Sequence, residues 1–219
     1  MALDVENATP TLPKIGDPAP SFTAKTTQGE ISLSDYEGKW VVLFSHPADF
    51  TPVCSTEFIS FARKNEEFEK RNVQLLGLSV DSLPAHLAWV TNIKEKMGVE
   101  IPFPVIADLN TAVAQKYGMI HPGASETATV RCVFVIDPKQ TVRAIIYYPL
   151  NVGRSIDEIL RLVDGLQTAD KHSVAAPADW KPGDQVVEPA PTNVEGVNER
   201  LQGDLTGTDW YLKKKNLED

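Results

Sequence analysis

Two stretches of the chain are apolar almost without interruption, Trp40-Val-Val-Leu-Phe-Ser45 and Val73-Gln-Leu-Leu-Gly-Leu-Ser-Val80. Short runs of this kind predict strands buried on both faces. Between them, Phe58, Phe61, Ala62 and Phe68 recur at close to helical period, with Arg63, Lys64, Glu66, Glu67, Glu69, Lys70 and Arg71 filling the other positions. That pattern predicts an amphipathic helix over about residues 55–71. Further helices are expected from Pro84 to Met97, from Leu109 to Tyr117 and from Ser155 to Ala169. Thr129–Ile136 and Thr141–Tyr148 read as a hairpin turning through Asp137-Pro-Lys-Gln140, since Asp-Pro opens turns. A βαβ unit followed by a hairpin and a terminal helix predicts an α/β protein with a thioredoxin-like fold, a central mixed sheet flanked by helices.

The pattern fades at both ends. Residues 1–13 are polar and aperiodic, which predicts a mobile arm, and residues 14–173 form the main domain. Over residues 174–219 the composition shifts to proline, glycine, valine and acids, predicting a small, loop-rich C-terminal domain anchored by Trp180, Trp210 and Tyr211. The net charge of −9 disfavours nucleic acid and anionic membrane surfaces. No apolar run approaches the roughly 20 residues of a membrane span. The acidic, h-region-free N-terminus carries no export signal, so a cytoplasmic location is expected. Two cysteines and no Cys-x-x-Cys exclude a disulfide scaffold and a four-cysteine zinc site. The histidines, His46, His86, His121 and His172, stand too far apart in sequence for a metal motif, and no metal is expected. Gly77-Leu-Ser79-Val-Asp81 begins like a nucleophile elbow but ends in Asp, so Ser79 reads as structural.

The segment Phe44-Ser-His-Pro-Ala-Asp-Phe-Thr-Pro-Val-Cys-Ser-Thr-Glu-Phe58 joins the first buried strand to the amphipathic helix and places Cys54 at or in that helix's first turn. The unpaired N–H groups and positive dipole end there favour a thiolate. Pro47 and Pro52 stiffen the approach, so that the Thr51 hydroxyl can be held at a fixed distance from the sulfur. Position alone leaves a second reading open, because a lone cysteine is often a small buried hydrophobe. A reactive thiol also needs a cation, which Asp49 and Glu57 do not supply. Arg131 lies in an otherwise apolar strand, where a buried charge is costly unless paired; it is either the partner of an anion or an edge residue reaching solvent.

Pro47-Ala-Asp-Phe-Thr51-Pro-Val-Cys54 resembles the active-site motif of the peroxiredoxins, and Ser-His-Pro-x-Asp-Phe-Thr-Pro-Val-Cys is similar to the one-cysteine, peroxiredoxin-six subfamily. Outlying blocks extend the resemblance over about residues 15–185, among them His86-Leu-Ala-Trp89, Pro102-Phe-Pro104, Gly153-Arg154 and Asp179-Trp-Lys-x-Gly-Asp184. It implies a thiol-dependent peroxidase without cofactor, reducing hydrogen peroxide and organic hydroperoxides. In that reading Cys54 is the peroxidatic nucleophile, Thr51 binds the substrate oxygens, Pro47 shields the site and Arg131 supplies the cation. His46 corresponds to a histidine placed beside the cysteine, Arg154 to a second arginine, and Glu57 to a carboxylate that orients an arginine.

The period of two sends Cys132 to the opposite sheet face from Arg131. If Arg131 faces Cys54, Cys132 cannot resolve its sulfenic acid, and an external thiol such as glutathione or thioredoxin must do so. The resemblance further implies a homodimer or a higher oligomer, with Tyr147, Tyr148 and Trp210 as candidate interface residues. A redox-regulated chaperone or peroxide sensor built on the same cysteine is the rival reading. The phospholipase activity credited to some relatives is not expected, since Tyr36-Glu-Gly-Lys-Trp40 lacks the required serine.

Overall fold

A computed structural model describes residues 12–203 and 209–217. The expected N-terminal arm therefore lies almost wholly outside the described residues. The chain forms two compact units that divide between Ile156 and Asp157.

The first unit is built on a seven-stranded mixed sheet of order β2-β1-β5-β4-β3-β6-β7. Its centre is the pair read from the apolar runs, β3 (Trp40–Ser45) and β4 (Val73–Ser79), which lie parallel in the register Trp40↔Val73 to Ser45↔Leu78. Right-handed crossover by a helix is the usual link between such strands, and here it is made by two short helices, α1 (Pro52–Arg63) and α2 (Asn65–Lys70). One continuous helix was expected; the ladder breaks at Lys64, which closes α1 and opens α2. The hairpin β6 (Arg131–Ile136) and β7 (Val142–Tyr148) adds antiparallel to the free side of β3.

On the other side, β5 (Val105–Ala107) joins β4 in parallel, and the hairpin β1 (Thr23–Thr26) and β2 (Gly29–Ser32) closes the sheet antiparallel to β5. These three strands were not expected: β1 and β2 have four residues of mixed polarity, and β5, though apolar, has only three, too few to show a period. Helices α3 (Leu83–Met97) and α4 (Ala112–Lys116) match the expected helices to within a few residues. Ser82 caps α3 by accepting from the Ala85 amide, and Gly98, in the left-handed region, ends it, the usual asymmetry of helix termini. The aromatic rings of Phe44, Phe58, Phe61 and Phe103 pack together, Phe44 stacked on Phe61 and edge-on to Phe58 and Phe103. Gly77 makes room for this cluster: a Cβ there would come within 3.1 Å of the Phe58 ring.

The second unit takes all but the first residue of α5 (Ile156–His172) and holds α6 (Val194–Leu201) and the two-residue strands β8 (Val186–Val187) and β9 (Lys214–Lys215). The expected boundary at 173/174 was set by composition, and it fell after α5. The contact boundary falls before it, because Gly165 of α5 lies against Ala176 and Trp180, and Arg161 donates to the Trp180 carbonyl. Trp180 anchors a small core with Val174 and Val186, as expected, whereas Tyr211 is exposed.

Candidate active site

The loop over residues 46–51 leaves the C-terminal end of β3, the edge at which α/β sheets present their chemistry. It turns at Phe50, an exposed aromatic held at φ 55°, a conformation that costs a bulky residue energy and persists where the surroundings impose it. Thr51 takes the position before α1 but does not cap it; its hydroxyl donates to the Ala48 carbonyl at 2.8 Å. Pro52, the first helical residue, has no N–H, so the amides of Val53 and Cys54 open the helix without an intrahelical acceptor behind them.

Cys54 is fully buried. Arg131 of β6 donates from Nη1 to its Sγ at 3.3 Å and from the same nitrogen to Glu57 Oε2 at 2.7 Å. Nε and Nη2 of Arg131 are fixed on the Leu150 carbonyl at 2.9 and 2.8 Å. One turn along α1, Glu57 accepts from Arg154 as well, from its backbone N–H and Nε at 2.8 Å and from Nη2 at 2.7 Å. Arg154 Nη1 reaches the Ser45 and Cys132 carbonyls, both at 2.8 Å, and its guanidinium lies over the Phe44 and Phe61 rings. Burial pushes the Glu57 carboxyl up, but the bonds and charge of Arg154, followed by the charge of Arg131, outweigh it and hold the group below the ordinary 4.5. Two buried guanidinium groups against one carboxylate leave one positive charge in excess, and it faces Cys54. An anion at Sγ neutralises the cluster.

Of the residues singled out in the sequence, Cys54, Glu57, Arg131 and Arg154 are thus brought into one hydrogen-bonded cluster. Pro47 and Thr51 lie on the adjoining loop, half-buried. His46 is buried in the same loop, but neither of its nitrogens bonds Cys54: Nε2 meets Asp49 Oδ1 at 2.9 Å and Nδ1 has no partner. Sequence reasoning missed its company. Asp49 and His86, separated by 37 positions, are both buried and bonded at 2.7 Å. The ligand-type atoms of His46, Asp49 and His86 lie within 4.8 Å of one another, so the histidines are less scattered in space than in sequence. The ring nitrogens facing Asp49 are engaged by hydrogen bonds. An aspartate inside an otherwise apolar and prolyl loop was the available signal for this cluster.

Cys132 points the other way, into the core packed with Leu43, Leu76 and Phe134. Its Sγ lies 3.1 Å from Ser45 Oγ. That hydroxyl gives its hydrogen to the Val130 carbonyl at 2.5 Å, so the thiol is the donor. Burial pushes this thiol up to about 11. Both cysteines are free.

A thioredoxin-like sheet carrying a buried cysteine at a helix start, with an arginine on its sulfur, defines the class of thiol-dependent peroxidases. The chain belongs to the peroxiredoxin family: residues 15–145 match the AhpC/TSA family and residues 165–203 the C-terminal domain of 1-Cys peroxiredoxin. A peroxiredoxin of Aquifex aeolicus is 58% identical over 217 residues, covering 94% of this chain and 98% of that protein. Among solved structures, a yeast mitochondrial 1-Cys peroxiredoxin is similar with a TM-score of 0.81 and 43% identity, covering 93% of this chain and 99% of that one. Peroxiredoxin 6 of Arenicola marina gives the same TM-score at 34% identity, covering 94% and 99%. The protein is accordingly an enzyme that reduces hydroperoxides at the expense of thiols. Among the described residues, no helix is long and apolar enough to cross a membrane.

Proposed function

We propose that the enzyme works by a one-cysteine mechanism, with Cys54 as the peroxidatic nucleophile and an external thiol as the resolving group. The observation that carries this reading is the Arg131 Nη1 contact at 3.3 Å from Cys54 Sγ, made by an arginine whose remaining donors are held by Glu57 and Leu150. The Cys54 thiolate attacks the terminal oxygen of the hydroperoxide in line; the S–O bond forms as the O–O bond breaks. The departing oxygen carries the electron pair away and takes up a proton as alcohol or water. Arg131 and the Cys54 amide are the donors suited to the charge that builds on it; the Thr51 hydroxyl joins them only by giving up its bond to the Ala48 carbonyl, and Pro47 covers the loop. Arg154 acts through Glu57, which it fixes from three nitrogens, and so aims Arg131.

The sulfenic acid then condenses with an incoming thiol to a mixed disulfide and water, and a second thiol releases Cys54. The opposite facing of Cys132 and its protonated thiol support an outside reductant. A glutathione or thioredoxin system, as named for the yeast relative, supplies thiols of the right chemistry. Steady-state turnover of hydrogen peroxide and of an organic hydroperoxide tests this. Cys54→Ser is expected to abolish it, and Cys132→Ser to retain most of it. Equal loss in the two variants would refute the one-cysteine reading.

A further inference from the structure

Among the described residues, one buried side-chain nitrogen or oxygen has no hydrogen-bond partner, and it is His46 Nδ1. Burying such an atom unpaired is costly, so its surroundings bear on why it is kept. The His46 ring stacks on Trp89 at 5.1 Å and meets the edge of Phe58, one turn beyond Cys54, at 4.7 Å. Its backbone is pinned at both ends, by the Leu78 carbonyl at 2.9 Å and by the Thr129 hydroxyl at 2.7 Å. The ring is thus fixed in orientation with one nitrogen on Asp49 and the other open.

The hydrogen positions follow from the acceptors. His86 Nε2 lies 3.1 Å from the Ile106 carbonyl, which only accepts, so this nitrogen carries hydrogen. Its other nitrogen, Nδ1, meets Asp49 Oδ2 at 2.7 Å, while Oδ1 takes His46 Nε2 at 2.9 Å. Burial raises the Asp49 carboxyl, but the hydrogen bonds from His46 and His86 outweigh it and hold the group below its ordinary value. As a carboxylate, Asp49 needs a hydrogen from each ring. His86 Nδ1 then donates to Asp49 Oδ2 and His46 Nε2 to Oδ1. Burial lowers His46, against the pull of Asp49, so that ring carries its single hydrogen on Nε2.

We propose that His86 is a positioning residue for the peroxidase reaction: acting through Asp49, it locks His46 in the tautomer that leaves Nδ1 as an open acceptor beside the peroxidatic loop. The assignment rests on Cys54 being the nucleophile. The ring that carries this open lone pair meets Phe58, one turn beyond Cys54 in α1, so its tautomer and orientation bear on the helix start that holds the sulfur. Without the His86 donor, Asp49 loses one of its two bonds, and His46 divides between tautomers.

Nitrogen-15 NMR of the reduced protein, with the histidines assigned by single substitution, reads the tautomer without turnover. The expected pattern is hydrogen on Nε2 alone for His46 and on Nδ1 for His86. Hydrogen on His46 Nδ1 would overturn the proposal even if every His86 variant failed to fold. The kinetic arm follows the second-order rate of Cys54 oxidation by hydrogen peroxide. His86→Leu is expected to slow it about tenfold or more, the scale of a misoriented catalytic group. His86→Asn, which keeps a donor toward Asp49, should recover most of the rate and the His46 signature. An undiminished rate in His86→Leu would overturn the assignment while leaving Cys54 in place as nucleophile. Absence of oxidation at Cys54 in the wild-type enzyme would instead overturn the reading beneath it.

Discussion

Glu57 accepts four hydrogen bonds from two arginines inside the protein, and the position of Arg131 on the Cys54 sulfur depends on it. Removing one partner of a buried ion pair costs about 3–5 kcal/mol, because the remaining charges lose their compensation. Glu57→Gln is expected to lower stability by that amount in urea unfolding at neutral pH. The folded-state carboxyl titrates below its unfolded value of 4.5, so the stabilisation is fully present above that pH and is lost as pH falls through the folded value. The gap between wild type and Glu57→Gln should therefore close in acid; a gap that is constant from neutral pH to pH 3 would argue against the pairing. Cys132, pushed up to about 11, is protonated at neutral pH, and iodoacetamide mapping of the native enzyme should leave it unmodified. At this scale Cys54 and Arg131 stood out from the residues themselves, as a thiol at a helix start and a charge in an apolar strand, whereas Arg154 and Glu57 entered only through the family resemblance. The Asp49–His86 bond was not legible, since a contact between a loop and a distant helix leaves no local period.

At the scale of elements, the site is where β3, α1 and β6 meet. β3 and β4 were read nearly to the residue because strands buried on both faces are apolar at every position. The short strands β1 and β2 escaped because their burial alternates weakly, and β5 because three apolar residues are too short a run to read; tertiary pairing defines all three. The break between α1 and α2 escaped as well, because Phe61 and Phe68 keep the helical period across it. The start of α1, which sets the Cys54 sulfur, is held by the Phe58 ring against Phe44, Phe103 and Trp89. Phe58→Ala should cost about 3–5 kcal/mol in thermal or urea unfolding, the usual range for a large core ring. It should also slow Cys54 oxidation, because the helix start loses its packing. Full stability in this variant would show that α1 is fixed by other means.

At the scale of the whole molecule, the family resemblance reached both units. The contacts divide the chain at a different place from the composition. Composition marks where helices and strands give way to loops, whereas compact units are set by contacts, and α5 belongs by its contacts with the segment that follows it. The central claim is that one buried cysteine does the chemistry and waits for a thiol from outside. Its most direct measurement is mass mapping of the reduced enzyme after one equivalent of hydrogen peroxide, with no reducing thiol present and a sulfenic-acid trap added. A trapped sulfenic acid on Cys54 with Cys132 still a free thiol is the expected result. An intramolecular Cys54–Cys132 disulfide, or oxidation at Cys132 in place of Cys54, would contradict it.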